Sequence, residues 1–143
     1  MTYLPIPCDS TSNWSPVQFK DVCSKVTDNT QPLPNGTRLY IGLEHIASGF
    51  PKLISYGIES SIKSSKTVFK SGDILYGKLR PYLRKSVLAE QNGMCSTDIL
   101  VFRAKQNCHV DYLCYLTHWG EFVKHAVATT SGVQHPRTSW SSL

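Results

Sequence analysis

Cys95-Ser96-Thr97-Asp98-Ile99-Leu100-Val101-Phe102-Arg103 is the stretch on which the fold turns. Four consecutive apolar residues, Ile99 to Phe102, predict a strand buried on both faces. Downstream, Leu113, Leu116, Val123 and Val127 recur near helical spacing, and Asp111 sits where a carboxylate favours the start of a helix. One helix is therefore expected over about 111–128. Upstream, Ile74 to Leu79 and Tyr82 to Ala89 read as strands, separated by Arg80-Pro81. Thr67-Val68-Phe69 is a short extended piece, and Arg38 to Ile46 is a further strand. Ser71-Gly72-Asp73 and Asn92-Gly93 are turn signals.

Nearer the N-terminus, Val17 to Val26 is expected to form a short helix, with Ser15 as its cap and Pro16 at its first position. Trp14 would anchor that start. Residues 1–16, rich in Pro, Ser and Thr, read as an irregular arm. Residues 27–37 and 47–65 are long loops, and loops of that length in a compact domain are often functional. The expected class is α+β. It is a single domain over 14–143 with a small twisted, partly open β-sheet or barrel-like core, long loops and one main C-terminal helix.

The chain has 143 residues, 41% of them hydrophobic and 17% charged. That suits one domain with a real core and argues against wholesale disorder. No apolar run approaches the roughly 20 residues of a membrane helix. Met1 to Asp9 has neither a basic start nor an apolar core, so no secretory signal is read and a cytoplasmic location is expected. Five cysteines, an odd number without Cys-x-x-Cys, argue against a disulfide framework, and Cys95 is expected to be a buried thiol.

Signatures of catalysis are missing. There is no P-loop, no Gly-x-Gly-x-x-Gly after a strand, no His-Glu-x-x-His and no zinc-deaminase pair. An amino-methyltransferase's Asn- or Asp-Pro-Pro-Tyr/Phe segment is also lacking, and so is the Gly-x-Ser-x-Gly of a serine hydrolase. Acidic residues are too sparse for a ready two-carboxylate site. Cys114, His118, Glu121 and His125 would fall along one face of the expected helix. A straight helix cannot wrap four ligands around one ion, so these residues read as its polar side. No catalytic residue, metal or cofactor is expected.

What stands out is charge. Between Lys63 and Lys85 lie Lys63, Lys66, Lys70, Lys78, Arg80, Arg84 and Lys85, opposed only by Asp73; the whole chain carries +5. If residues 77–85 continue as a strand, Lys78, Arg80, Tyr82 and Arg84 share one side, over Leu79, Pro81 and Leu83. Pro81 cannot donate to a ladder and so favours an edge or a bulge. Arginine forks suit phosphates or guanine edges, and lysines act as point charges. A second candidate lies at the C-terminus, where Gln134, His135 and Arg137 could contact bases or phosphates. Equally, Arg137 could pair with a carboxylate, and Trp140 could close the core.

In their order, these segments resemble the target-recognition domain of type I restriction-modification specificity subunits. The pieces are Trp14 leading to Val22-Cys23, then Tyr40 to Ile46, then Phe69 to Leu83. Cys95 to Phe102, a Tyr-Leu-rich helix and Thr130 to Trp140 follow. Gly72 to Leu83 and Gly132 to Trp140 are the specific strings. The resemblance implies sequence-specific binding to double-stranded DNA, reading one half of a split target without catalysis. It also implies partner subunits: modification subunits that methylate adenine and restriction subunits that cleave. DNA contacts are expected from Lys70, Lys78, Arg80, Tyr82, Arg84, Lys85, Gln134, His135 and Arg137, with the 47–65 loop helping to choose the sequence. A full specificity subunit has two recognition domains and long spacer helices. The spacer helix and second domain are expected to be missing from this chain. The competing expectation is a truncated or regulatory fragment that binds modification or restriction subunits without reading DNA.

Overall fold

The computed structural model describes residues 3–7 and 14–143, with side chains from Gln18 onward. Eleven strands and two helices occur among them. The strands are β1 (Tyr3–Pro7), β2 (Trp14–Gln18), β3 (Cys23–Lys25), β4 (Asn29–Thr30), β5 (Leu39–Ile41), β6 (Gly57–Ile58), β7 (Lys66–Phe69), β8 (Ile74–Gly77), β9 (Ser86–Leu88), β10 (Gly93–Cys95) and β11 (Ile99–Ala104). The helices are α1 (Val110–His118) and α2 (Gly120–Ala128).

The class is α+β, and the sheets are open. A four-stranded antiparallel sheet runs β3-β11-β8-β9, and a five-stranded mixed sheet runs β4-β7-β10-β5-β6. β1 and β2 pair with each other. Ile99 and Val101, with Leu75 and Val87, belong to an apolar cluster shared with Ile41, Phe69 and Cys95 of the five-stranded sheet. Leu100 and Phe102, with Ile74 and Tyr76, join a second cluster with Leu113, Leu116 and Phe122 of the helices. Alternate residues of β8 and β11 thus face opposite layers. All four residues of the Ile99–Phe102 run are at most 4% exposed, as expected of a doubly covered strand.

The helix-side cluster is aromatic. The Phe102 ring lies 5.0 Å from Phe19, 5.5 Å from Tyr76 and 5.5 Å from Trp140. Phe19 stands 4.9 Å from Phe122. Trp140 therefore closes the core, and Leu143 beside it is 1% exposed.

Five expectations are corrected. The strand over Arg38 to Ile46 is only β5, and Leu43–His45 forms a 3-10 turn. The single helix over 111–128 is two helices, because Trp119 takes extended backbone between them (ψ 134°). The helix over Val17–Val26 is replaced by the end of β2, a single 3-10 turn at Phe19–Asp21, and β3. There β3 pairs with β11, and tertiary pairing outweighs a weak helical preference. The arm read as irregular carries the paired strand β1; Cys8 and the rest of 8–13 lie outside the described residues, as does the side chain of Trp14. Cys95–Arg103 is not one strand. The turn at Ser96–Asp98 splits it into β10 and β11, which belong to different sheets.

Two buried carboxylates pin the loops. Asp73, 2% exposed, accepts from Arg103 Nε and Nη2, both at 2.8 Å, and from the Lys70 backbone N–H at 2.9 Å. Glu59, 1% exposed, accepts from Arg38 Nη2 at 2.8 Å and Nε at 3.0 Å, and from the backbone N–H groups of Leu33 and Arg38. The Arg38 guanidinium first, and then these N–H donors, lower the Glu59 carboxyl to about 2. The 31–38 loop wraps this carboxylate so closely that a Cβ on Gly36 would stand 2.1 Å from Glu59 Cδ.

Candidate nucleic-acid interface

The basic stretch does not continue as a strand. After Gly77 the chain leaves the sheet, and Pro81–Leu83 forms one 3-10 turn. The expected alternation of Lys78, Arg80, Tyr82 and Arg84 is replaced by this turn. Its flanking residues, Arg80 (φ 50°) and Arg84 (φ 52°), both take left-handed backbone. Among the described residues they are the two non-glycine positions with positive φ. That conformation costs a side-chain-bearing residue about 1–2 kcal/mol. Proline at the first position suits the turn, since its φ is preset and it has no N–H to satisfy.

Two other loops hold the turn. The Arg80 N–H donates to the Pro136 carbonyl at 2.7 Å, and the Thr138 N–H donates to the Lys78 carbonyl at 3.0 Å. Ser131 and Arg137 close the C-terminal loop with reciprocal backbone hydrogen bonds, both 3.0 Å. Gly132 bends that loop at φ 98°, and a Cβ there would meet the His135 carbonyl oxygen at 3.0 Å. On the other side, Ser48 Oγ donates to the Leu83 carbonyl and the Gly49 N–H to the Arg84 carbonyl. Segments 47–52, 78–85 and 131–138 therefore meet in one junction.

Eight of the nine sequence-predicted residues come together here. Tyr82 is 55% exposed, and Arg84, Gln134 and His135 are exposed as well. Arg80 is half-buried, and its Nη2 donates to the Gln134 carbonyl at 3.3 Å. Lys78 is half-buried beside it. Lys85 turns inward, and its Nζ donates to the Leu43 carbonyl at 2.8 Å. Arg137 pairs with Asp98, Nε to Oδ1 at 2.7 Å, so the carboxylate alternative holds for it. Lys70 is not part of the junction: it lies beyond the opposite end of β8, whose four residues span about 13 Å.

Phe50 and Val133 were missed in the sequence. They sit on the two supporting loops and are 55% and 99% exposed. Large apolar residues at loop tips were the available signal. A concavity of about 750 Å³ lies elsewhere, between Leu39, Ile41, Leu53, Phe69 and Ala89, and holds none of the nine residues. A duplex is gripped by a convex charged surface as readily as by a pocket, so the junction remains the candidate.

The residues weighed as zinc ligands go separate ways. His118 Nε2 is hydrogen-bonded to the Ser86 carbonyl at 2.9 Å, and His125 Nε2 to the Ser142 carbonyl at 2.6 Å, on different helices. Burial pushes the Cys114 thiol up to about 11 and that of Cys95 up to about 12, so both stay protonated at neutral pH. Among the described residues no group of three or more His, Cys, Asp or Glu is placed to hold a metal ion. No helix among them is long and apolar enough to cross a membrane.

No family model matches the chain. Over 109 residues, 75% of this chain, it is 32% identical to the type I restriction enzyme EcoDI specificity subunit of Escherichia coli. It spans 24% of that relative. Its fold matches a chain from a structural study of complex assembly and conformational transition in a type I R-M system. The TM-score is 0.72 and the identity 24%, over 86% of this chain and 34% of that one. The crystal structure of the HsdS subunit from Thermoanaerobacter tengcongensis matches with TM-score 0.72 and 22% identity, over 88% of this chain and 35% of that one. In sequence the chain is similar to a type I restriction enzyme specificity subunit and in fold to the HsdS subunit, and it spans between about a quarter and a third of their lengths.

Proposed function

We propose that this chain recognises DNA sequence as part of a type I specificity subunit, reading one half of a bipartite target through the three-loop junction. The observation that carries the reading is the pair Arg80 and Arg84. Each bears a cation without a carboxylate partner among the described residues, on backbone that an arginine adopts only at a cost. Sequence kinship with the EcoDI specificity subunit supports the same reading. Lys78, Arg80 and Arg84 supply phosphate contacts, with Tyr82, Gln134 and His135 beside them. Lys85, bound to the Leu43 carbonyl, and Arg137, paired with Asp98, shape the surface, and Lys70 acts only on DNA long enough to pass the far end of β8. The chain has no reaction of its own in this proposal. Modification subunits methylate, restriction subunits cleave, and this domain directs them.

The test is a fluorescence-anisotropy titration of the chain with a labelled random-sequence duplex at low salt, followed by selection of bound sequences. With about three to four phosphates neutralised, by Lys78, Arg80, Arg84 and, on longer DNA, Lys70, log K should fall against log salt with a slope of roughly −3 to −4. Arg80→Ala combined with Arg84→Ala should reduce that slope by about 2. A wild-type chain that ignores DNA at low ionic strength overturns the proposal. So does binding indifferent to both salt and sequence.

A further inference from the structure

We infer that Tyr82 is the base-contacting, specificity-determining residue of the Pro81–Leu83 turn, seated by Arg80 and Arg84 on phosphates to either side. The inference rests on the DNA-binding reading above and divides its labour. Tyr82 lies two residues from each arginine in the chain, on the turn that the two left-handed positions flank.

The ring is 55% exposed, while Pro81 on one side is buried and Leu83 on the other is half-buried. The turn therefore presents one large side chain outward and spends the other two on packing. Its backbone is locked before any ligand arrives. The Leu83 N–H donates to the Arg80 carbonyl at 2.9 Å and the Arg84 N–H to the Pro81 carbonyl at 3.0 Å, in addition to the bonds donated by Ser48 and Gly49 and the one accepted by the Pro136 carbonyl. A tyrosine held this way loses little freedom on contact, because only two side-chain torsions remain. It is uncharged, so it adds nothing to counterion release. Arginines at the phosphates position the protein without reading sequence, which leaves the reading to the group between them.

Glycine would relieve the left-handed backbone at Arg84, whose guanidinium has no carboxylate partner among the described residues. The fold gains nothing from an arginine there, and a partner outside the chain does.

The experiment compares the full wild-type chain with Tyr82→Ala and Arg84→Gly on two probes, the duplex selected by wild type and a random-sequence duplex. Tyr82→Ala should cut the affinity ratio between selected and random duplex by about tenfold. Its salt slope should match wild type, and its affinity should fall more on the selected duplex than on the random one. Arg84→Gly should weaken both duplexes alike and lower the slope by about 0.9, with a thermal midpoint no lower than wild type. Tyr82→Ala weakening both duplexes equally, or neither, overturns the assignment while leaving the DNA-binding reading intact. Arg84→Gly changing the ratio but not the slope overturns it as well. Failure of wild type to bind either duplex is the separate outcome that removes the DNA-binding reading itself.

Discussion

The chain has five arginines, and they divide into two kinds. Arg38, Arg103 and Arg137 each meet a carboxylate at 2.7–2.8 Å, on backbone of ordinary φ. Arg80 and Arg84 meet none among the described residues, and both stand on left-handed backbone. The first kind tie loops to the scaffold, with the charge cancelled on site. The second kind are held out by the scaffold at its expense, with the charge uncancelled. A mildly basic chain can thus present a locally intense cationic turn: three of its ten acidic residues pair with the structural arginines, and among the described residues none pairs with Arg80 or Arg84.

Substitutions that treat the two kinds alike should separate them sharply. Asp73→Ala should have the largest effect. It strands the Arg103 guanidinium and the Lys70 N–H around a buried site, and should cost about 2–3 kcal/mol in urea unfolding. That is less than a fully buried pair would cost, because the Arg103 side chain is 40% exposed.

Glu59→Gln tests the same contrast through pH. The folded carboxyl lies below its ordinary value of 4.5, at about 2. Its contribution is therefore complete above pH about 4.5 and drains away as pH falls toward about 2. In acid titrations followed by circular dichroism, wild type should lose stability across that window more steeply than Glu59→Gln.

Gly132→Ala should cost about 1 kcal/mol, from a positive φ and a crowded Cβ. It should also weaken DNA binding, by shifting the loop that carries Gln134 and His135. Differential scanning calorimetry and the anisotropy assay check the two effects. The smallest change in stability is expected of Arg80→Gly, which should leave the denaturation midpoint unchanged or slightly raised and still weaken DNA binding. A marked loss of stability there would show Arg80 to be structural, and the division between the two kinds would fail.

Layer-forming elements were legible in the sequence, because burial on two faces writes itself as a continuous apolar run. Ile99–Phe102 is such a run, and it lies between the sheets and the helices as its composition demands. The break at Trp119 was not legible. Leu113 through Val127 keep a near-helical period, and only the demand of Phe122 for a place beside Phe19 and Tyr76 accompanies the change of direction. The site was half legible. Its residue types and charge were plain, and Pro81 warned that a strand would not persist. Left-handed arginines leave no trace, since the usual markers of that backbone are Gly, Asn and Asp. Nor could the sequence announce that Arg80 would meet Gln134 and Pro136, more than 50 positions along the chain.

The two sheets are laced together by the chain itself. β3 leads directly into β4, β7 into β8 and β10 into β11, and each passage crosses from one sheet to the other within a few residues. Neither layer is a separate folding unit, so loosening one must pull on the other. Amide protons of Phe69 and Val101, on different sheets, should consequently exchange with solvent through the same global opening. The Pro81–Leu83 turn, which follows β8, is therefore tied to the cooperativity of the whole domain.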